Sequence, residues 1–366
     1  MSGTIAPTTT YGGVAGALLH DSASTRQQLD TLLQQAGSGY QADSFAGLGG
    51  TAPTALAVAP EIAAQQGYQA NINAATAQMQ VTQTALQQIS SIASTFYADA
   101  AQLTNTAPTE IDSTAQAAQQ ALQQVAQLLN TTDGSLYVFA GQDSGNPPVP
   151  DAGNILASGF ATQIQLAVSG LSGSGAAGVM AATLSTAASN AAGTSPFSPA
   201  LSQPAATLQA EAPKVATGPG QQTTIGIAAS ANGFVASTGS FTTGSYMRDI
   251  LGALATIGSL NSGQANDPQF AQLVQDVHAS LGGAITALNQ DAGALGTTQS
   301  TLAAEQTTLG DTTTALQTQL SGAEDANMAT TLSQITATET RLQASYAMIS
   351  GLQTYSLAKY LTPLGG

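Results

Sequence analysis

Six leucines, Leu281, Leu288, Leu295, Leu302, Leu309 and Leu316, recur at strict seven-residue spacing in a stretch without proline. A seven-residue repeat returns each side chain to the same helix face every two turns, so the stretch reads as a helix lying along a partner. Its companion series three residues on, Ala284, Asp291, Thr298, Glu305 and Thr312, is mostly polar. Such a helix is a weak coiled coil alone and calls for a partner surface. A matching seam lies in the first half of the chain. From Tyr68 it runs Ile72, Ala75, Met79, Thr82, Leu86, Ile89, Ala93, Phe96, Ala100 and Leu103, alternating steps of three and four. A further C-terminal seam follows "LSGAEDAN": Met328, Leu332, Ile335, Glu339, Leu342, Tyr346 and Ile349, ending in "SLAKYL" with Leu361. Segments from opposite ends of the sequence must meet to bury these seams.

Around the seams the pattern changes twice. Residues 14–36 read as an amphipathic helix on Leu18, Leu29, Leu32 and Leu33, broken by "GSGYQADSFAGLGGTAPTA". Another helical stretch carries Leu122, Val125, Leu128 and Leu129 into "NTTDGSLYVFAGQDSGNPPV", where Asp133-Gly134 marks a turn, "SLYVFAG" a strand and Pro147-Pro148 an exit. Gly, Ser, Thr and Ala dominate from there to about residue 245, with β-like runs "FATQIQLAV" and "TTIGIAAS" between glycine-rich breaks. Helix resumes near Tyr246. The expected fold is mainly α: a long antiparallel coiled-coil-like helical bundle from both termini, with an inserted loop-rich β or α+β middle domain. The expected boundaries are 1–133, 134–245 as a variable β-rich surface domain, and 246–366 packing on the first segment.

Composition narrows the function. Charged residues make up 7% of the 366-residue chain, against a typical ~25%. Twenty acids and five bases leave a net charge of −15, and Arg26, Lys214, Arg248, Arg341 and Lys359 are scattered singly. Nothing there neutralises a run of phosphates, so neither nucleic acid nor an anionic lipid surface is an expected partner. No run approaches the ~20 apolar residues of a membrane-spanning helix, and no membrane insertion is expected. Cysteine is absent, which excludes disulfides, thiolate metal sites and a cysteine nucleophile. The amino terminus lacks a positive region followed by an apolar one, so a cleaved signal peptide is not expected.

Catalytic chemistry finds little support. His20 adjoins Asp21, but neighbours on a helix face different directions. His278 has no second ligand in view, and Glu324-Asp325 reads as a helix N-terminal cap and dipole partner rather than a metal site. "GLGGTA" at residues 47–52 lacks the Lys-Ser/Thr of a phosphate loop. Between Ser135 and Tyr246 the only acids are Asp143, Asp151 and Glu211, which leaves paired-carboxylate glycan chemistry improbable. No catalytic residue, metal ligand or cofactor is therefore assigned.

Two segments carry a family resemblance. "LLNTTDGSLYVFAGQDSGNPPV" resembles the flagellin superfamily segment in which a helix ending in Leu-Asn leads through a turn and a "YxFAG" strand to a "PPV" exit. "LSGAEDANMATTLSQITATETRLQASYAMISGLQTYSLAKYL" resembles the superfamily's C-terminal helix, and "LLQQAGSGYQADSF" is loosely similar to its N-terminal signature, with Gln41 in place of the expected Arg. The tail and "SYMRDILGALATI" look closer to the hook-filament junction branch (hook-associated protein 3) than to filament subunits. Either branch implies a non-enzymatic structural subunit of the extracellular bacterial flagellum, serving motility. Its implied partners are itself, other hook-associated proteins or flagellin, the flagellar export apparatus and a chaperone. Export would proceed without signal cleavage.

From the repeat alone, packing within one chain is the simpler account of the seams. The resemblance makes them an assembly seam: Ile72, Met79, Leu86, Ile89, Phe96, Leu103, Leu281, Leu288, Leu295, Leu302, Leu309, Leu316, Leu332, Ile335, Leu342, Tyr346, Ile349 and Leu361. A secreted coiled-coil interaction protein, such as a translocator or adhesin, is the alternative if the two ends pair stably in an isolated monomer.

Overall fold

A computed structural model describes residues 10–354 of the chain. Nine α-helices and four short strands follow in order among them: α1 (Thr10–Ser38), α2 (Ala52–Gln102), α3 (Pro108–Leu129), β1 (Thr132–Asp133), β2 (Leu136–Tyr137), α4 (Gly159–Ser169), α5 (Leu171–Ala188), α6 (Ala205–Ala210), β3 (Lys214–Gly218), β4 (Gln221–Thr224), α7 (Tyr246–Gly258), α8 (Phe270–Glu324) and α9 (Met328–Thr354). The chain divides into two compact units. One comprises the described residues up to Ala64 with those from Asp311 onward, and the other comprises Gln65–Gly310. Helices α2 and α8 contribute residues to each.

In the smaller unit α1 packs on α9. Their antiparallel sense shows in the Tyr40–Asp325 bridge and in Gln41 N–H donating to the Glu324 carbonyl at 2.7 Å. Leu48, Ala55 and Ala323 form a small separate cluster in the same unit.

In the larger unit α2 and α8 also run antiparallel. Asn73 Oδ1 accepts from Gln306 at 2.6 Å, Ser90 donates to Asn289 at 3.0 Å, and the Tyr97 and His278 rings stack at 3.9 Å. One continuous core joins this pair to α3, α4, α5 and α7. Proline at the first position of α3 starts that helix without losing a bonded N–H, and its stripe Ile111, Ala115, Ala118, Leu122, Val125 and Leu129 faces inward. Helix α7 is buried on every side, touching α3, α4 and α5. An all-round buried helix is expected to be apolar, which makes its Arg248 and Asp249 notable.

The segment at 130–149 forms the expected turn. Thr132 pairs with Tyr137 and Asp133 with Leu136 across Gly134 at φ +61°, a conformation that glycine adopts without strain. Asn130 replaces a missing strand partner, its side chain both donating to and accepting from the Val149 backbone at 2.7 and 2.9 Å. Beyond Tyr137 the ladder stops, and Val138, Phe139 and Ala140 are all buried in succession.

Individual strand expectations in the middle fail instructively. "FATQIQLAV" is helix α4, not a strand. Ser158 caps it by accepting from Ala161 N–H at 3.3 Å, and Phe160, Ala161, Ile164 and Val168 bury one helical face. Leu166, which strand alternation would bury beside Ile164 and Val168, is 66% exposed. The start of α4 also lies tight against a neighbouring loop: a Cβ on Gly159 would come within 1.9 Å of the Gly193 carbonyl oxygen. Conversely "KVATG", which falls in a glycine-rich break between the two β-like runs, is strand β3, paired antiparallel with β4. The middle is thus α+β, with strand limited among the described residues to these two-stranded ladders.

Candidate assembly surface

The two heptad seams of the larger unit meet inside it. Ile72, Met79, Leu86, Ile89, Phe96 and Leu103 on α2 and just beyond are all buried, as are Leu281, Leu288, Leu295 and Leu302 on α8, in one core. Leu309 is half-buried against it. Each such side chain contributes roughly 1.5–3 kcal/mol by leaving water, so this part of the repeat holds the folded chain itself together.

One member of the polar companion series, Asp291, has partners that sequence spacing does not reveal. Asp291 is completely buried on α8, yet four donors converge on its carboxylate. Gly233, Phe234 and Val235 N–H donate at 2.7, 2.6 and 2.9 Å, and the Tyr246 hydroxyl donates at 2.8 Å. Several hydrogen bonds to an ionised carboxylate replace its hydration. Burial, with the Asp291 charge second, pushes the Tyr246 phenol well above its usual pKa and keeps it a donor. Asn232 extends the network, donating to the Val235 and Gly244 carbonyls and accepting from Tyr246 N–H.

The charges of α7 anchor the flanks of the same irregular segment. Arg248 donates to the Ser230, Ala187 and Ser189 carbonyls and to Asn190, and lies 5.1 Å from the Phe197 ring centre. Burial lowers its pKa from the usual guanidinium value. Asp249 accepts from Thr243 N–H and from the Thr242 and Thr243 hydroxyls, but burial is the larger influence and raises its carboxyl pKa. A group with a raised folded pKa binds its proton more readily folded than unfolded. Its contribution is therefore fullest below the unfolded carboxylate value, about 4, and is lost as pH rises through the folded one. In urea titrations, the stability difference between the unmodified chain and Asp249→Asn should move in favour of the unmodified chain as pH falls from 7 toward 4. A pH-independent difference would contradict this.

The smaller unit is built differently. Along α1 the side turned inward carries Leu18, Ser22, Thr25, Leu29 and Leu32; along α9 it carries Thr331, Ile335, Thr338, Leu342, Ser345 and Ile349. Ser22 and Thr25 return their hydroxyls to carbonyls of their own helix, at 3.0 and 2.8 Å, so these two fill seam positions with their donors satisfied, whereas the buried Ser345 hydroxyl finds no hydrogen-bond partner among the described residues. The expected α9 seam is consequently split. Ile335 is buried and Leu342 and Ile349 are half-buried, whereas Leu332 and Tyr346 are 53% and 39% exposed. Leu316 is half-buried, and Leu361 lies outside the described residues. Nine of the thirteen large hydrophobic residues exposed among the described residues belong to this smaller unit: Leu19, Leu33, Tyr40, Phe45, Leu56, Met328, Leu332, Tyr346 and Met348. Exposed apolar side chains are thus concentrated on the unit with fewer residues.

The residues weighed for catalysis do not converge. His20 is exposed, and His278 stacks on Tyr97. Glu324 and Asp325 sit at the carboxyl end of α8, not at a helix start; the N-terminal cap of α9 is Asn327, accepting from Thr330 N–H at 3.2 Å. Among the described residues no group of three or more His, Cys, Asp or Glu could hold a metal ion, and no helix is long and apolar enough to cross a membrane.

Residues 13–144 match the bacterial flagellin N-terminal helical region, and residues 279–361 match the bacterial flagellin C-terminal helical region. Together the two matches span more than half of the 366 residues. No curated protein matches the chain.

Proposed function

Because the chain belongs to the bacterial flagellin family, we propose that it polymerises into the flagellar filament through the exposed apolar surface of its α1/α9 unit. The family makes it a structural, non-enzymatic component of the extracellular flagellum that assembles with itself and other axial proteins. The observation that carries the proposal is the segregation of function between seams. Those of the larger unit are consumed by its own core, while the smaller unit leaves nine large apolar side chains exposed. A subunit with such a face must be kept from premature association, which supports a chaperone and passage through the flagellar export apparatus before assembly. Residues 134–245 are assigned to the outward, variable part of the subunit, where changes of sequence are tolerated.

A net charge of −15 adds a requirement. Like-charged subunits repel over about a Debye length, ~10 Å at 0.1 M salt, so polymerisation should strengthen with ionic strength. The resemblance of the tail and of "SYMRDILGALATI" to the junction branch supports a second reading, a ring at the end of the hook. Immunogold electron microscopy on intact cells separates the two. Label along the filament supports the first, label confined to the hook's end supports the second, and label away from any flagellum rejects both.

A further inference from the structure

Four of the six exposed large apolar residues on α1 and α9 follow a rule, Met328 and Met348 being the exceptions. On α1, Leu19, Arg26 and Leu33 each come one residue after an inward-facing position, Leu18, Thr25 and Leu32. On α9, Leu332, Glu339 and Tyr346 stand in the same relation to Thr331, Thr338 and Ser345. Both series have seven-residue spacing. In an antiparallel helix pair, positions related in this way flank the seam on the same side, and the Arg26 guanidinium, 5.4 Å from the centre of the Tyr346 ring, shows that they do so here. One edge of the pair is therefore Leu-Arg-Leu beside Leu-Glu-Tyr. The opposite edge, Asp21, Gln28 and Gln35 with Gln334, Arg341 and Met348, is mostly polar.

We infer that the Leu19/Leu33/Leu332/Tyr346 edge is a docking strip for a second copy of this chain, which lays its Leu332-Glu339-Tyr346 series along Leu19-Arg26-Leu33. The inference rests on the self-assembling reading above and specifies its contact. Two properties favour a second copy as the occupant. The strip carries one base and one acid, so it is neutral in a chain with a net charge of −15 and two copies can meet there without the repulsion of their remaining surfaces. Each charge is also the central member of its series. Whichever way the helices run, alignment of the flanking apolar residues places Arg26 of one copy opposite Glu339 of the other. Apolar contact would supply the attraction, and the charges would set the register.

The test is polymerisation of purified full-length chain, read as critical concentration. Arg26→Glu and Glu339→Arg each set like charges across the strip and should raise it at least tenfold, while thermal unfolding of the monomer followed by circular dichroism stays nearly unchanged. The double variant should return it to within about threefold of the unmodified chain. Single variants that polymerise normally, or a double variant no better than either single, would overturn the pairing.

A second measurement uses the absence of cysteine. Leu332→Cys carrying a benzophenone is polymerised with isotope-labelled unmodified chain. Crosslinks from the probe to α1 of a labelled copy support the strip. Crosslinks confined to one copy, or reaching residues 65–310 of another, overturn it while leaving self-assembly intact. If the unmodified chain forms no polymer at any salt concentration, the self-assembling reading fails and the strip falls with it.

Discussion

Asp291→Ala should lower the thermal midpoint of the monomer by roughly 10 °C, reflecting a loss of about 3–5 kcal/mol in a unit of this size. The carboxylate accepts from three backbone N–H groups and the Tyr246 hydroxyl. Hydrogen bonds to a charged acceptor contribute about 1.5–3 kcal/mol each, and a buried donor left unpaired costs about 1–3 kcal/mol. These terms do not add fully, because residues 233–235 can lift away and recover water. Asp291→Asn is the sharper version. It keeps the volume but turns an NH₂ donor toward groups that are themselves donors, so it should also destabilise by more than 1 kcal/mol. Hydrogen exchange at Gly233, Phe234 and Val235 should accelerate more than exchange in α3. Unchanged protection at those amides would show that other contacts hold the segment.

Deletion of residues 342–361 should abolish incorporation into the flagellum and leave the larger unit folded. The cut removes Leu342, Ser345, Tyr346 and Ile349, and with them much of the α9 surface that covers α1. Residues 65–310 keep their own core, so the far-ultraviolet spectrum should lose helix while the main cooperative transition survives. Incorporation is read by electron microscopy of cells and by fractionation of shed polymer. Normal incorporation of the truncated chain would exclude the α1/α9 unit as the assembly element. A simultaneous loss of the main transition would show instead that the tail supports the larger unit.

The two predictions draw on opposite ends of what could be read in advance. The α2 seam from Ile72 to Leu103 is buried at every position named from the repeat. A run of alternating three- and four-residue steps has one geometric meaning on a helix, and its larger members are unambiguously apolar. The same logic placed Leu281 to Leu302, while the Asp133-Gly134 dipeptide marked the turn and the return of helix was read near Tyr246, where α7 starts. On α9 that logic named the more apolar of two heptad series that share Ile335, Leu342 and Ile349. Their alternates are Leu332 and Tyr346 in one and Thr331, Thr338 and Ser345 in the other. Hydrophobicity favours the first; close approach of α1 selects the second. Likewise "FATQIQLAV" alternates like a strand, but the cap at Ser158 and the neighbouring core made it a helix.

The sequence by itself determined the helical ends, their period and their need to meet, because those properties follow from the spacing of apolar residues along one chain. Only the tertiary structure decided which seams close within the molecule and which apolar edge is left open. It also decided that Asp291, a blemish in the repeat, anchors a segment 56 to 58 residues away. Those outcomes depend on which backbone donors and which neighbouring helix arrive at a given face, and spacing along the chain does not encode that.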